Sequence, residues 1–82
     1  MMLEIVMPQK NPNMHEGQIV EWEIEEGEIV KKGDILFTFK VGEVIYELEA
    51  PENGMLGRVV SFENEKVPVG GLVAYLDPGV ID

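Results

Sequence analysis

Apolar and polar residues alternate along much of this chain, with turn residues interrupting the alternation at short intervals. The segment 19–25 alternates in this way: Val20, Trp22 and Ile24 are predicted on one strand face, and Ile19 with the glutamates mostly on the other. Turn signals recur at Pro12-Asn13, Glu26-Gly27, Lys32-Gly33-Asp34, Glu52-Asn53-Gly54, Gly70-Gly71 and Asp77-Pro78-Gly79. Many short strands separated by such turns predict a small all-β sandwich or barrel.

The chain also contains an internal repeat. A shift of 37 residues, without gaps, places residues 17–39 over 54–76. The identical pairs are Gly17/Gly54, Glu26/Glu63, Glu28/Glu65, Val30/Val67 and Gly33/Gly70. The pattern predicts two similar halves of about four strands each, related by a quasi-two-fold axis and packed on each other. The alternative is the general self-similarity of short strand-turn proteins.

Two β-rich runs, 36–41 and 44–48, are separated only by Gly42-Glu43. A two-residue loop with glycine first is typical of a type II′ hairpin, and the turn fixes the pairing of the strands. The predicted pairs are Val41 with Val44, Lys40 with Ile45, Phe39 with Tyr46, Thr38 with Glu47 and Phe37 with Leu48. This register collects the apolar side chains on one face, with Ile45 as the exception. Gly42 and Glu43 then form an exposed tip, where function is often presented, although such a loop also serves as a plain connection.

The charge balance is strongly acidic, with 16 Asp and Glu against 6 Lys and Arg and a formal net charge of −10. This argues against nucleic acid or an anionic membrane surface as a partner, because both attract clustered Lys and Arg.

Hydrophobic residues make up 45% of the chain, a proportion too high for a disordered protein. The length of 82 residues is sufficient for one domain. No apolar run approaches a membrane span, and residues 1–8 do not form a signal peptide, so we expect a cytoplasmic location.

The inventory of reactive side chains is small. The chain has no cysteine, and His15, Ser61 and Thr38 are its only histidine, serine and threonine. The chain therefore has too few of the residues that a nucleophile–histidine pair or a zinc site requires. Most of its glutamates alternate with apolar residues, a pattern typical of the solvent-exposed face of a strand. We therefore expect no catalytic residue and no metal site.

Several motifs follow one another between residues 3 and 77. They are Met7-Pro8, Met14-His15-Glu16-Gly17, Ile19-Val20-Glu21-Trp22, the run 26–36, Glu49-Ala50-Pro51 followed by Gly54, and Val67-Pro68-Val69-Gly70. In this order and without gaps, they resemble the lipoyl/biotinyl domain family, the carrier modules of 2-oxo acid dehydrogenases and biotin carboxylases. The lipoyl branch is the best match.

The resemblance implies an all-β flattened barrel or sandwich of two four-stranded antiparallel sheets with quasi-two-fold symmetry. It implies one domain over residues 1–77, followed by a tail at 78–82. The partners that it implies are 2-oxo acid dehydrogenase components, a carboxylase, or a lipoyl or biotin ligase.

The resemblance fails at the acceptor. In the family, a lysine at the hairpin tip receives lipoate or biotin; here Glu43 takes that position and Gly42 precedes it. Both cofactors attach through their own carboxylate to an amine, and a glutamate has none. Lys40, three residues earlier, is a less favoured substitute acceptor.

We therefore predict a carrier-type domain without a cofactor, acting as an unmodified structural or protein-interaction module. The alternative is a working lipoyl, less favourably biotinyl, swinging-arm carrier for acyl transfer. In that case the acceptor has been replaced in this chain or displaced to Lys40. An unrelated enzyme or small-molecule binder is disfavoured by the inventory above.

Overall fold

Eight strands and one turn of 3-10 helix make up the computed structural model of the protein, which describes residues 1–80. The strands are β1 (Leu3–Val6), β2 (Glu16–Trp22), β3 (Ile29–Val30), β4 (Ile35–Val41), β5 (Val44–Glu49), β6 (Gly54–Val59), β7 (Lys66–Pro68) and β8 (Leu72–Asp77). They form two four-stranded antiparallel sheets, with strand orders β1-β8-β6-β3 and β5-β4-β2-β7. The predicted all-β class and the two four-stranded sheets are confirmed.

The end of the chain follows the last strand directly. The 3-10 turn occupies Pro78–Val80, immediately after β8. The division into a domain at 1–77 and a tail at 78–82 stays a prediction, and residues 81 and 82 lie outside the described part of the chain. Within residues 1–80 there is no helix of the length and apolarity that crossing a bilayer requires.

Each sheet draws strands from both halves of the chain. The first sheet combines β1 and β3 with β6 and β8, and the second combines β2 and β4 with β5 and β7. The shift that defines the repeat carries β2, β3 and β4 onto β6, β7 and β8, so exchanging the halves exchanges the sheets. Because neither half forms a complete sheet, each half depends on the other for its pairing and its core.

Two identical glutamates of the repeat link the halves in the same way. The Val59 N–H donates to the Glu26 carboxylate at 2.7 Å, and the Trp22 N–H donates to the Glu63 carboxylate at 3.1 Å. Position 22 matches position 59 in the repeat, as 26 matches 63, so each bond is the symmetry mate of the other. Each of these glutamates therefore accepts a hydrogen bond from a backbone N–H at the end of a strand. This shared role is a structural reason why both halves of the repeat have glutamate at this position.

The other identical glutamate pair closes the two equivalent turns. The Glu25 N–H donates to the Glu28 carboxylate at 2.6 Å, and the Phe62 N–H donates to the Glu65 carboxylate at 2.5 Å. A carboxylate that accepts from a backbone N–H nearby in the chain stabilises a turn in the manner of a cap. The same bond therefore forms whether glutamate or phenylalanine supplies the N–H.

The turn centres are also equivalent. Gly27 has φ 91° and Asn64 has φ 74°, the left-handed region that glycine and asparagine tolerate best. The Gly27 N–H donates to the Leu56 carbonyl, and the Asn64 N–H donates to the Ile19 carbonyl, each at 2.8 Å. The pairing of these two residues in the sequence repeat thus reflects a shared backbone conformation.

Glu26→Ala is expected to lower the free energy of unfolding by about 1 kcal/mol, because the Val59 N–H loses its charged acceptor. Glu26→Gln retains an acceptor oxygen and should recover part of that loss. Chemical denaturation measures both, with Glu25→Ala as the neighbouring control that leaves the bond in place. Equal destabilisation by Glu25→Ala and Glu26→Ala would show that the bond contributes nothing specific.

The alternation predicted for residues 19–25 is wrong at its first two positions. Ile19 is fully buried and Val20 is 37% exposed, the reverse of the predicted faces. The pairing of β2 with β4 shifts by one residue between Ile19 and Glu21, a β-bulge that changes the phase of the strand. Beyond the bulge, Trp22 and Ile24 are half-buried and pack against the core as predicted.

The core between the sheets is apolar, and a row of aromatic rings crosses it. Successive ring centroids are 4.9 Å apart for Trp22 and Phe37, 5.9 Å for Phe37 and Phe39, and 5.5 Å for Phe39 and Tyr46. Phe37 and Phe39 are fully buried. The row joins β2, β4 and β5, and so holds the β4–β5 hairpin against the body of the barrel.

Candidate functional site at the β4–β5 hairpin

The hairpin has the register predicted from its turn. The pairs are Phe37 with Leu48, Thr38 with Glu47, Phe39 with Tyr46, Lys40 with Ile45 and Val41 with Val44. Phe37 and Phe39 point into the core, whereas Ile45 on the outer face is 56% exposed. Val44 is also exposed, at 51%, because it lies at the tip beyond the core.

The tip itself is a two-residue turn made by Gly42 and Glu43. Gly42 has φ 61°, and Asn64 is the one non-glycine of residues 1–80 with a positive φ, so Glu43 has a negative φ. A positive φ followed by a negative one is the type II′ pattern, as predicted. Both residues are exposed, and a side-chain carbon placed on Gly42 would meet nothing within 4 Å. The tip therefore presents Glu43 openly to solvent.

Neither tip residue fits lipoate or biotin. The amide that joins either cofactor to a protein needs an amine, whereas Gly42 has no side chain and Glu43 ends in a carboxylate. Lys40 is the closest lysine along the chain. It is exposed and lies in the strand ladder opposite Ile45, one pair before the tip pair Val41 and Val44.

A second lysine lies near Lys40 that the sequence reasoning did not single out. Gln18 on β2 pairs with Lys40 on β4 and with Lys66 on β7, so the two lysines flank it on neighbouring strands. All three residues line a small polar depression that also includes Gly42. This grouping depends on two long-range strand registers, and no local motif signals it.

Glutamates occupy the next part of the same sheet. Thr38 pairs with Glu21 on one side and with Glu47 on the other. The charge of Glu21 raises the pKa of Glu23 above its usual value, with smaller contributions from desolvation, from a side-chain hydrogen bond with Glu21 and from the charges of Glu47 and Glu63. The second sheet thus has lysines near the tip and mutually repelling carboxylates further away.

Ser61 and His15 do not form a reactive pair. Ser61 follows the end of β6 rather than lying in a strand, and it is buried. Its Oγ donates to the Leu72 carbonyl at 3.0 Å, and its own carbonyl accepts from the Trp22 Nε1 at 2.9 Å. His15 is exposed. In residues 1–80, no group of three or more His, Cys, Asp or Glu is arranged to hold a metal ion.

Comparison with known proteins identifies the family to which this chain belongs. The sequence profile of the biotin/lipoyl family, described as "Biotin-requiring enzyme", matches residues 3–76. This chain belongs to the biotin/lipoyl domain family. The resemblance inferred from the ordered motifs is thereby confirmed, and the protein is a small carrier-type domain.

Two relatives of this biotin/lipoyl domain are parts of pyruvate dehydrogenase complexes. The dihydrolipoyllysine-residue acetyltransferase component from Zymomonas mobilis is 34% identical over 77 residues, covering 93% of this chain and 18% of the relative. The mitochondrial pyruvate dehydrogenase protein X component of Mus musculus is 33% identical over 75 residues, covering 90% of this chain and 15% of the relative. The domain thus spans less than a fifth of the length of either relative.

Solved structures agree with the fold of this biotin/lipoyl domain. The lipoyl domain of the 2-oxoglutarate dehydrogenase complex from Azotobacter vinelandii has a TM-score of 0.76 at 24% identity, covering 90% of this chain and 94% of that one. A single-chain, multi-domain long-chain acyl-CoA carboxylase has a TM-score of 0.78 at 18% identity, covering 93% of this chain and 7% of that one. At these identities, the likeness establishes the barrel-sandwich architecture alone.

Proposed function

We propose that this biotin/lipoyl domain is not modified and acts as a structural or protein-interaction module. The observation that carries the proposal is the tip of the β4–β5 hairpin, where Gly42 and Glu43 stand exposed and neither offers an amine. Glu43 takes the place of the acceptor lysine of the family. Its carboxylate cannot condense with the carboxylate of lipoate or biotin, so the domain keeps the scaffold of a carrier without the arm.

The second candidate function is a working swinging-arm carrier that uses Lys40. The observation that favours it is the exposure of Lys40 beside the tip. Two features weigh against it. Lys40 belongs to the strand ladder rather than to the turn, and Lys66 lines the same depression, so nothing in this geometry singles out Lys40 as the acceptor. A ligase that positions one amine at a turn gains nothing from a lysine displaced along the strand.

The partners that we propose follow from the relatives. Both relatives named above are components of pyruvate dehydrogenase complexes. We propose that the domain associates with 2-oxo acid dehydrogenase components, with a carboxylase or a lipoyl or biotin ligase as further possibilities, in the cytoplasm. An acidic surface steers the encounter with a basic partner even when no cofactor is attached.

Co-expression with a lipoyl ligase, and separately with a biotin ligase, is expected to leave the intact mass of the chain unchanged. The lipoyl domain from Azotobacter vinelandii, expressed in the same way, is the positive control for the lipoyl ligase. A mass increase equal to one cofactor would overturn the proposal. Digestion that maps the increase to Lys40, and its loss in Lys40→Arg, would establish the second candidate instead.

A further inference from the structure

A shallow groove opens where the two equivalent turns meet. Its volume is about 480 Å³, and its apolar lining consists of Trp22, Ile24, Val59 and Phe62. Phe62 is 55% exposed, so its ring lies largely in solvent. The rest of the lining is three glutamates and one asparagine, with no lysine or arginine among them. The lining of the groove therefore combines apolar side chains with acidic ones and contains no basic side chain.

The internal repeat shows that the fold does not require the Phe62 ring. Phe62 is the symmetry mate of Glu25, and the turn bond that each N–H makes to a carboxylate is the same. A glutamate therefore satisfies this turn position as well as a phenylalanine does. Trp22 likewise matches Val59, a smaller residue. The aromatic walls of the groove arise where the two halves differ, rather than from the symmetry that builds the barrel.

One wall of the groove is held rigidly. The Trp22 Nε1 donates to the Ser61 carbonyl at 2.9 Å, and the indole packs on the buried ring of Phe37 with centroids 4.9 Å apart. The Trp22 N–H also donates to Glu63. With its indole held by two of these contacts and its backbone N–H by the third, Trp22 loses little conformational entropy when a ligand covers it, which favours binding.

The charge around the groove selects the occupant. Glu25, Glu26 and Glu63 line it, and the repulsion that Glu23 experiences from Glu21 and Glu63 extends the negative region along the end of β2. An apolar ligand with negative charge would add to this repulsion. A ligand whose apolar side chain is flanked by cations would relieve it and would be steered toward the groove.

We propose that this groove docks a segment of a protein partner in which one or two large apolar side chains are flanked by lysine or arginine. The inference rests on the proposed function, because it names the surface through which the interaction module binds. It does not depend on the chemistry of the hairpin tip.

The test uses the unmodified chain and synthetic peptides. Trp22 is the only tryptophan, so its fluorescence reports directly on the groove. The probe is Lys-Arg-Leu-Phe-Arg-Lys; the two comparison peptides are Glu-Asp-Leu-Phe-Asp-Glu and Lys-Arg-Ser-Gly-Arg-Lys. The probe is expected to bind with a Kd on the order of 100 μM, and each comparison peptide at least about tenfold more weakly.

A matched pair of variants locates the binding. Phe62→Gln places a neutral analogue of the symmetry mate Glu25 in the turn and should fold normally, which thermal unfolding checks. It is expected to weaken probe binding about tenfold. Ile45→Gln removes an equally exposed apolar side chain from the hairpin, 56% against 55%, and should bind like the unchanged protein.

Three results would overturn the inference: no saturable fluorescence change, equal binding of the acidic peptide, or equal binding by Phe62→Gln. These outcomes are separate from the mass measurement above. Cofactor attached at Lys40 together with specific peptide binding would refute only the unmodified state of the tip. An unmodified chain that fails to bind the probe would refute only the groove.

Discussion

Phe39→Ala is expected to lower the free energy of unfolding by about 3–5 kcal/mol, a large share of the whole stability of the domain. A chain of this size has a stability on the order of 4–12 kcal/mol. Phe39 is fully buried in the middle of the aromatic row, between the rings of Phe37 and Tyr46. Its removal leaves a cavity in the core behind the middle of the β4–β5 hairpin, where fully buried neighbours leave little room to collapse. Chemical denaturation measures the loss.

Phe62→Ala is the matched control for this change, since the same atoms are removed from a ring that is 55% exposed. It is expected to change the free energy of unfolding by no more than about 0.5 kcal/mol, as exposed positions usually do. A similar loss in both variants would mean that the Phe62 ring supports the fold. In that case the groove would be part of the core rather than a free surface.

The repeat and the hairpin could be predicted because their signals are local. Gly42-Glu43 fixes a two-residue turn, and the turn fixes the pairing from Val41 with Val44 to Phe37 with Leu48. Below that pair the register shifts by one residue, so Ile35 pairs with Glu49, and the turn does not predict this shift. The identity of Glu26 with Glu63 was visible as a repeat. Its cause, a carboxylate that accepts from the opposite half, became visible only in three dimensions.

The features that the sequence did not predict depend on long-range registers. The bulge after Ile19 changes which side chains of β2 face the core. The residues around Val20 give no local signal for the extra residue. The row of Lys40, Gln18 and Lys66 needs the pairing of three strands that are distant in sequence. The groove likewise joins two turns that lie far apart along the chain.

Glu43→Lys is expected to convert the domain from an unmodified chain to one that a lipoyl ligase modifies almost completely. The substitution places an amine at the exposed second position of the type II′ turn, without altering Gly42 or the strand pairing below it. Because the side chain is exposed, stability should change by no more than about 0.5 kcal/mol. Intact mass after co-expression is expected to rise by one lipoyl group, and digestion should place it at position 43.

Glu43→Arg separates the chemistry of the acceptor from its charge. It brings the same reversal of charge to the tip, but its guanidinium is not acylated, so its mass should stay unchanged. The double variant Glu43→Lys with Lys40→Arg should be modified as fully as Glu43→Lys alone, because Lys40 takes no part. If Glu43→Lys folds and still resists the ligase, position 43 is not the only obstacle. Gly42, or the flanking Val41 and Val44, would then also block recognition, and the loss of the arm would be a property of the whole tip.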